Sequence, residues 1–148
     1  MTCEAISAAM DRLVSILQRR PEFGLQNDLP ATARWESGLR VVSRHENGMQ
    51  VVTDMPAELG GGGGEVTPGW LMRGGLASCA ATRIAMAAAA EQIELAMLEV
   101  TADSRSDASG LFGMADAEGA LVSAGPREVE LTVELVRLGD EQRGLMRL

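Results

Sequence analysis

Cysteine is the residue type in this chain best suited to covalent chemistry, and it occurs twice, as Cys3 and Cys79. Cys79 lies in the stretch Thr67 to Gln92, T-P-G-W-L-M-R-G-G-L-A-S-C-A-A-T-R-I-A-M-A-A-A-A-E-Q. At helical spacing it shares a face with Met72, Leu76, Arg83 and Met86, and Arg83 is its i+4 neighbour. A guanidinium held beside a thiol in an otherwise apolar groove favours the thiolate, which is the nucleophile. The plainer reading is a buried cysteine acting as a small hydrophobe, the commoner fate of a lone cysteine in an alanine-rich helix. Spacing alone leaves both open. The single histidine, His45, falls beside a turn, where a solvated side chain is a better account than a catalytic one. Two cysteines so far apart, with one histidine, form neither a disulfide framework nor a zinc ligand pattern, so no metal is expected.

The stretch that carries Cys79 is also the longest apolar run and reads as a central helix. Thr67 can cap its N-terminus, and Pro68 suits the first helical position, where the missing N–H would be unpaired anyway. Cys79 then falls about three turns in, beyond the reach of the helix-end field, unless Gly74-Gly75 breaks the helix and restarts it just before the thiol. From Leu76 to Ala90 the run is apolar nearly all round and needs cover on several sides. A domain of this size cannot supply that cover alone, so the sequence predicts a homodimer built on this helix.

The remaining elements follow in order. Ile6, Met10, Leu13, Val14 and Leu17 share one face of an amphipathic helix over residues 3–20, with Thr2 as cap and Arg19-Arg20-Pro21 as the stop. Its polar face carries both charge signs, which favours docking onto the domain over lying on a membrane. Pro21 to Pro30 is a linker, so residues 1–30 read as helix plus linker and 31–148 as the main body of a single domain. A short strand over Ala31 to Glu36 precedes a hairpin of Leu39 to His45 and Met49 to Met55. A two-residue Asn47-Gly48 loop would set Val42 opposite Thr53. The five glycines Gly60 to Gly64 lack the Lys-Ser or Lys-Thr of a phosphate loop and read as a flexible turn or flap beside the cysteine. Strands with one wet face follow at Leu98 to Asp103 and Glu128 to Leu135, with a long loop, Ser104 to Gly125, between them. The order of helix, three strands, buried helix and two strands is an α+β class.

Composition narrows the partners. The 148 residues carry a formal charge of −8, which argues against nucleic acid and against an anionic membrane surface. Hydrophobic residues make up 46% but aromatics only 3%, so an aliphatic, Met-rich core or ligand groove is expected. Arg73 and Arg83 interrupt the longest apolar run before it could span a bilayer. With no leader pattern at the N-terminus, the expected location is cytoplasmic.

The run Pro56 to Thr82, P-A-E-L-G-G-G-G-G-E-V-T-P-G-W-L-M-R-G-G-L-A-S-C-A-A-T, resembles the signature of the OsmC/Ohr family of osmotically inducible and organic-hydroperoxide-resistance proteins. Pro68 and Cys79 match that family's spacing between a loop proline and the reactive cysteine, and weaker similarity extends over about Ala31 to Val136. The resemblance implies an antiparallel sheet with a central Cys-bearing helix, in an intertwined homodimer with sites at the subunit boundary. It implies a thiol-dependent peroxidase in which Cys79 attacks an organic hydroperoxide, with no cofactor beyond an external thiol reductant. The family keeps its cysteine ionised with an arginine and a glutamate. Here Gly69 occupies the position of that glutamate, with Glu65 as a substitute, and the arginine has substitutes in Arg34, Arg40 and Arg83. No cysteine follows Cys79, so the family's second, resolving thiol is missing. Cys3 could pair with Cys79 in principle, but the motif gives that pairing no support. The alternative is a non-catalytic protein of the same fold that binds an apolar small molecule.

Overall fold

The computed structural model describes residues 2–139 and 144–147, the last strand by its backbone alone. The protein is mixed α+β with two small antiparallel sheets. It divides into two compact units, Met1–Ser7 with Gly75–Leu148, and Ala8–Gly74. Two helices, α1 (Cys3–Arg19) and α2 (Pro68–Ala90), each contribute to both.

Helix α1 starts where Thr2 caps it, accepting the Ala5 amide on its hydroxyl at 3.3 Å, and ends at a 3-10 turn opened by Pro21. Its apolar stripe is only partly covered. Ile6, Met10 and Leu17 are half-buried, whereas Leu13 is 55% and Val14 49% exposed. The expected docking of that stripe is therefore incomplete within this chain.

In the unit of residues 8–74, strands β1 (Thr32–Ser37), β2 (Arg40–Arg44) and β3 (Gln50–Thr53) form a sheet in that order. The hairpin register differs by one residue from the sequence expectation. Val42 faces Val52, and Val41 faces Thr53. The His45 amide donates to the Met49 carbonyl at 2.9 Å, and the Gly48 amide to the His45 carbonyl at 3.0 Å. The loop is thus the three residues Glu46, Asn47 and Gly48. Gly48 takes φ +91°, the left-handed third residue of a turn that ends in a bulge. Side chains specify this choice: Asn47 Oδ1 accepts the Met49 amide at 3.0 Å, and His45 Nδ1 accepts the Asn47 amide at 3.2 Å. His45 serves its own turn.

The glycine run is a folded loop rather than a bare flap. Asp54 is buried, and its carboxylate accepts the Met55 amide at 2.7 Å and the Gly62 amide at 2.8 Å. The Gly61 and Gly63 amides donate to the carbonyls of Pro56 and Met55, and Gly60 and Gly63 have positive φ. A Cβ on Gly61 would fall on the Met55 carbonyl. Glycine is needed here for close backbone approach as much as for turning. The loop closes where the Asp54 amide donates to Val66 at 3.0 Å, one residue before the Thr67 cap of α2.

In the other unit, β4 (Leu95–Ser106), β5 (Pro126–Arg137) and β6 (Gly144–Arg147) form the second sheet in that order. Val100 pairs with Val133, which is buried, and Glu99, Thr101 and Asp103 lie on the wet side as the alternation predicts. β6, in a tail that the sequence leaves unassigned, pairs with β5 from Thr132 to Leu135. The segment read as a long loop is partly structured. It contains a short helix α3 (Ala108–Leu111), and an Ala115–Leu121 bridge closes a turn in which Asp116 accepts the amides of Glu118 and Ala120. A Cβ on Gly110 would meet the Ser123 backbone, so this excursion is packed against its own returning segment.

Asp107 caps α3, accepting the Ser109 amide at 3.0 Å, and pairs with Arg127 at 3.1 Å. The Ser109 amide and then its hydroxyl hold the Asp107 carboxyl below the usual carboxylate range, against an opposing effect of burial and with a lesser contribution from the Arg127 charge. A depressed folded-state value means that the cap stabilises at neutral pH and is lost as pH falls through that value. In an acid titration followed by NMR, the Ser109 amide should hold its folded shift until below the ordinary aspartate range. In Asp107→Asn, which can still cap, that acid-linked change should vanish.

The buried apolar residues are Val42, Ala88, Ala89 and Val133, and among the described residues no large side chain is fully buried. Of the methionines expected to pack, Met49, Met72 and Met114 are exposed and Met10, Met55, Met86 and Met97 are half-buried. Among the described residues, no helix is long and apolar enough to cross a membrane.

Candidate functional site

Helix α2 positions Cys79. Thr67 Oγ1 accepts the Trp70 amide at 3.1 Å, and the Thr67 carbonyl accepts the Leu71 amide at 3.0 Å, so the helix begins where the sequence predicts. It runs unbroken through Gly74 and Gly75 to Ala90. No second N-terminus forms before Cys79, so the thiol lies in the body of the helix, outside the helix-end field.

The thiol of Cys79 is free and exposed in the described chain. Arg83, one turn further along, is exposed as well. Together with Leu76, Ala87 and Ala90 they lie at spacings of three and four residues on one exposed stripe of α2, and only Ala88 and Ala89 of this helix are buried. Within the described chain the thiol is therefore exposed rather than buried. The apolar wall expected around it is absent from its own unit on that side.

Cys3 occupies a different place. Its thiol lies 3.7 Å from the Ala89 carbonyl and 3.9 Å from the Ile93 carbonyl, and it is half-buried. Ala89 is ten residues beyond Cys79, about 15 Å along a helix that rises ~1.5 Å per residue. Both cysteines are free, and Cys3 sits too far along α2 to bridge Cys79 without moving. Around Cys3 is an apolar groove of about 320 Å³, lined by Ile6, Ala85, Ala88, Ile93, Leu95 and Leu138 among others.

Arg34, Arg40 and Glu65 belong to the unit of residues 8–74. Arg34 stands in β1 opposite Val42. Arg40, at the start of β2, donates to Glu65 through its terminal nitrogen at 2.9 Å and to Glu36 through Nε at 3.1 Å. The Glu65 bond, followed by the Glu36 bond, holds this guanidinium still more firmly protonated than an ordinary arginine. The structure thus brings together two of the expected residues, Arg40 and Glu65, and adds Glu36, which sequence reasoning missed. The signal for Glu36 was its position across the Gly38–Leu39 turn, where β1 reverses into β2 and the register shift between Trp35 and Ser37 falls at Glu36. Asp54, which anchors the loop between β3 and α2, was also missed, because its partner Gly62 lies inside a run of identical residues.

Among the described residues, no group of three or more His, Cys, Asp or Glu is arranged to hold a metal ion. A scan against protein-family models finds no match to this chain, and a search of curated proteins finds no significant relative.

Proposed function

We propose that the protein is a homodimeric, thiol-dependent peroxidase of the OsmC/Ohr type that reduces organic hydroperoxides through Cys79. The observation that carries this reading is a free, exposed thiol on an unbroken, capped helix, one turn from Arg83 and outside any disulfide. In the proposed step the Cys79 thiolate attacks the distal peroxide oxygen. The O–O bond breaks, the alcohol leaves with a proton from solvent, and the sulfur becomes a sulfenic acid. An external thiol then attacks that sulfur, releasing water and leaving a mixed disulfide. A second thiol displaces Cys79 as thiolate.

Arg83 is the cation nearest in sequence on the same helical face, so it is assigned the role of favouring the thiolate. The rate of reaction with an organic hydroperoxide at neutral pH tests this: Arg83→Met should slow oxidation of Cys79 several-fold with thermal stability little changed. A wild-type thiol that hydroperoxide leaves unoxidised would favour the non-catalytic alternative, an apolar-ligand protein. The groove beside Cys3 and the glycine at position 69 are the features that support that alternative.

The dimer is supported by the exposed stripe of α2, with Leu76 at 40% exposure and Ala87 and Ala90 exposed beyond Arg83, and by the small number of buried side chains among the described residues. A soluble chain with so much uncovered apolar helix finds cover in association. Sedimentation at micromolar concentration should give a single dimeric species. A stable folded monomer under those conditions would end the dimer reading.

A further inference from the structure

The C-terminal half of α1 and the excursion between β4 and β5 are both apolar, exposed and oppositely charged. Residues 11–20 contain Arg12, Arg19 and Arg20 against the one acid Asp11, and Leu13, Val14 and Ile16 there are exposed. Residues 107–121 contain Asp107, Asp116 and Glu118 and no cation, although Asp107 is paired with Arg127 from β5. In that excursion Leu111, Phe112, Met114 and Leu121 are exposed, Phe112 by 65% and Leu121 by 81%. Apolar side chains this open, on a segment tied down by the α3 cap and the Asp116 turn, are presented to a partner by a shaped surface. An acidic rim selects a partner with apolar residues flanked by arginine, and α1 is a segment of that chemistry in this same chain.

We infer that the α1 segment of one copy docks on the excursion between β4 and β5 of a second copy, and that the reciprocal contact forms by two-fold symmetry. The inference rests on the homodimer reading and adds to the α2 contact a second, electrostatically selective one. Related by a two-fold axis, the two contacts form one isologous interface that closes at two chains.

Two charge-reversed variants test it. The first, Arg12→Glu with Arg20→Glu, makes α1 acidic. The second, Ala117→Lys with Glu118→Lys and Ala120→Lys, makes the excursion basic while keeping the turn-forming Asp116. All five positions are exposed. Each variant alone should self-associate at least about 10-fold more weakly than the parent in low-salt sedimentation, since like charges now face each other across the contact. An equimolar mixture of the two should restore association to near the parental level as a heterodimer, because each acidic patch then meets a basic one on the other chain. If the mixture is no better than either variant alone, the contact is not between copies. If both variants remain as dimeric as the parent, α1 docking is wrong while the α2 dimer stands. A parent that is monomeric removes the homodimer reading itself.

Discussion

Treatment with one equivalent of cumene hydroperoxide should add a single oxygen to the protein at Cys79, and excess peroxide should add a second. Cys3, the other cysteine, is held near Ala89 and Ile93 at the far end of α2, so it cannot condense with a Cys79 sulfenic acid where it stands. No cysteine follows Cys79 in the chain. A sulfenic acid with no thiol in reach persists until an outside thiol or a second peroxide arrives, and the second peroxide takes it to sulfinic acid. Intact-mass analysis of the parent, Cys79→Ser and Cys3→Ser checks this. Oxygen addition should be abolished in Cys79→Ser and retained in Cys3→Ser. Loss of two hydrogens in the parent, abolished in both variants, would instead mean that α1 moves to form a Cys3–Cys79 disulfide. An unchanged mass at both doses would remove the peroxidase reading.

The second large effect is expected in the loop between β3 and α2. Gly61→Ala should destabilise the protein by about 2–4 kcal/mol, because the added carbon falls on the Met55 carbonyl, a backbone atom that cannot swing aside. Asp54→Ala should cost about 2–3 kcal/mol, since it strips the charged acceptor from the Met55 and Gly62 amides at a buried position. Gly64→Ala, where nothing lies within contact range, should change stability by no more than about 0.5 kcal/mol. Denaturant melts of these three variants separate a shaped loop from a merely flexible one: equal, small effects at all three sites would restore the flexible-flap reading.

These loops show where sequence reasoning works and where it stops. The start of α2 was legible because a cap is local chemistry: a Thr hydroxyl, a Pro at the next position and the amides within one turn. The alternation of β5 was legible because a strand with one wet face repeats every two residues. The hairpin register was not, because Asn47-Gly48 fits a two-residue loop as readily as the last two residues of a three-residue one. Only the side-chain bonds of His45 and Asn47 decide between them. α3 and the turn at Asp116 were hidden for a similar reason. Each is made by one aspartate accepting nearby amides, too short a signal to stand out in a stretch rich in Ser, Asp and Gly. At the candidate site, the i+4 relation of Cys79 and Arg83 could be read from spacing. The bond between Arg40 and Glu65 could not, because 25 residues separate them and no local rule links a strand start to a loop end.

The unbroken passage of α2 through Gly74 and Gly75 has a consequence for how long its backbone amides stay protected. Each glycine costs a helix interior about 1 kcal/mol relative to alanine, and a Cβ at Gly75 would meet open space, so no close packing there requires the glycine. Local opening should therefore be most frequent in the turns on either side of this pair. Deuterium should enter there well before it reaches the stretch around Ala88 and Ala89, the only buried residues of the helix. Cys79 lies only four residues beyond Gly75, on the border between the fast-exchanging and slow-exchanging parts of one rod. Its exposure to reagents should thus follow the breathing of the glycine pair as well as the chemistry of its own side chain.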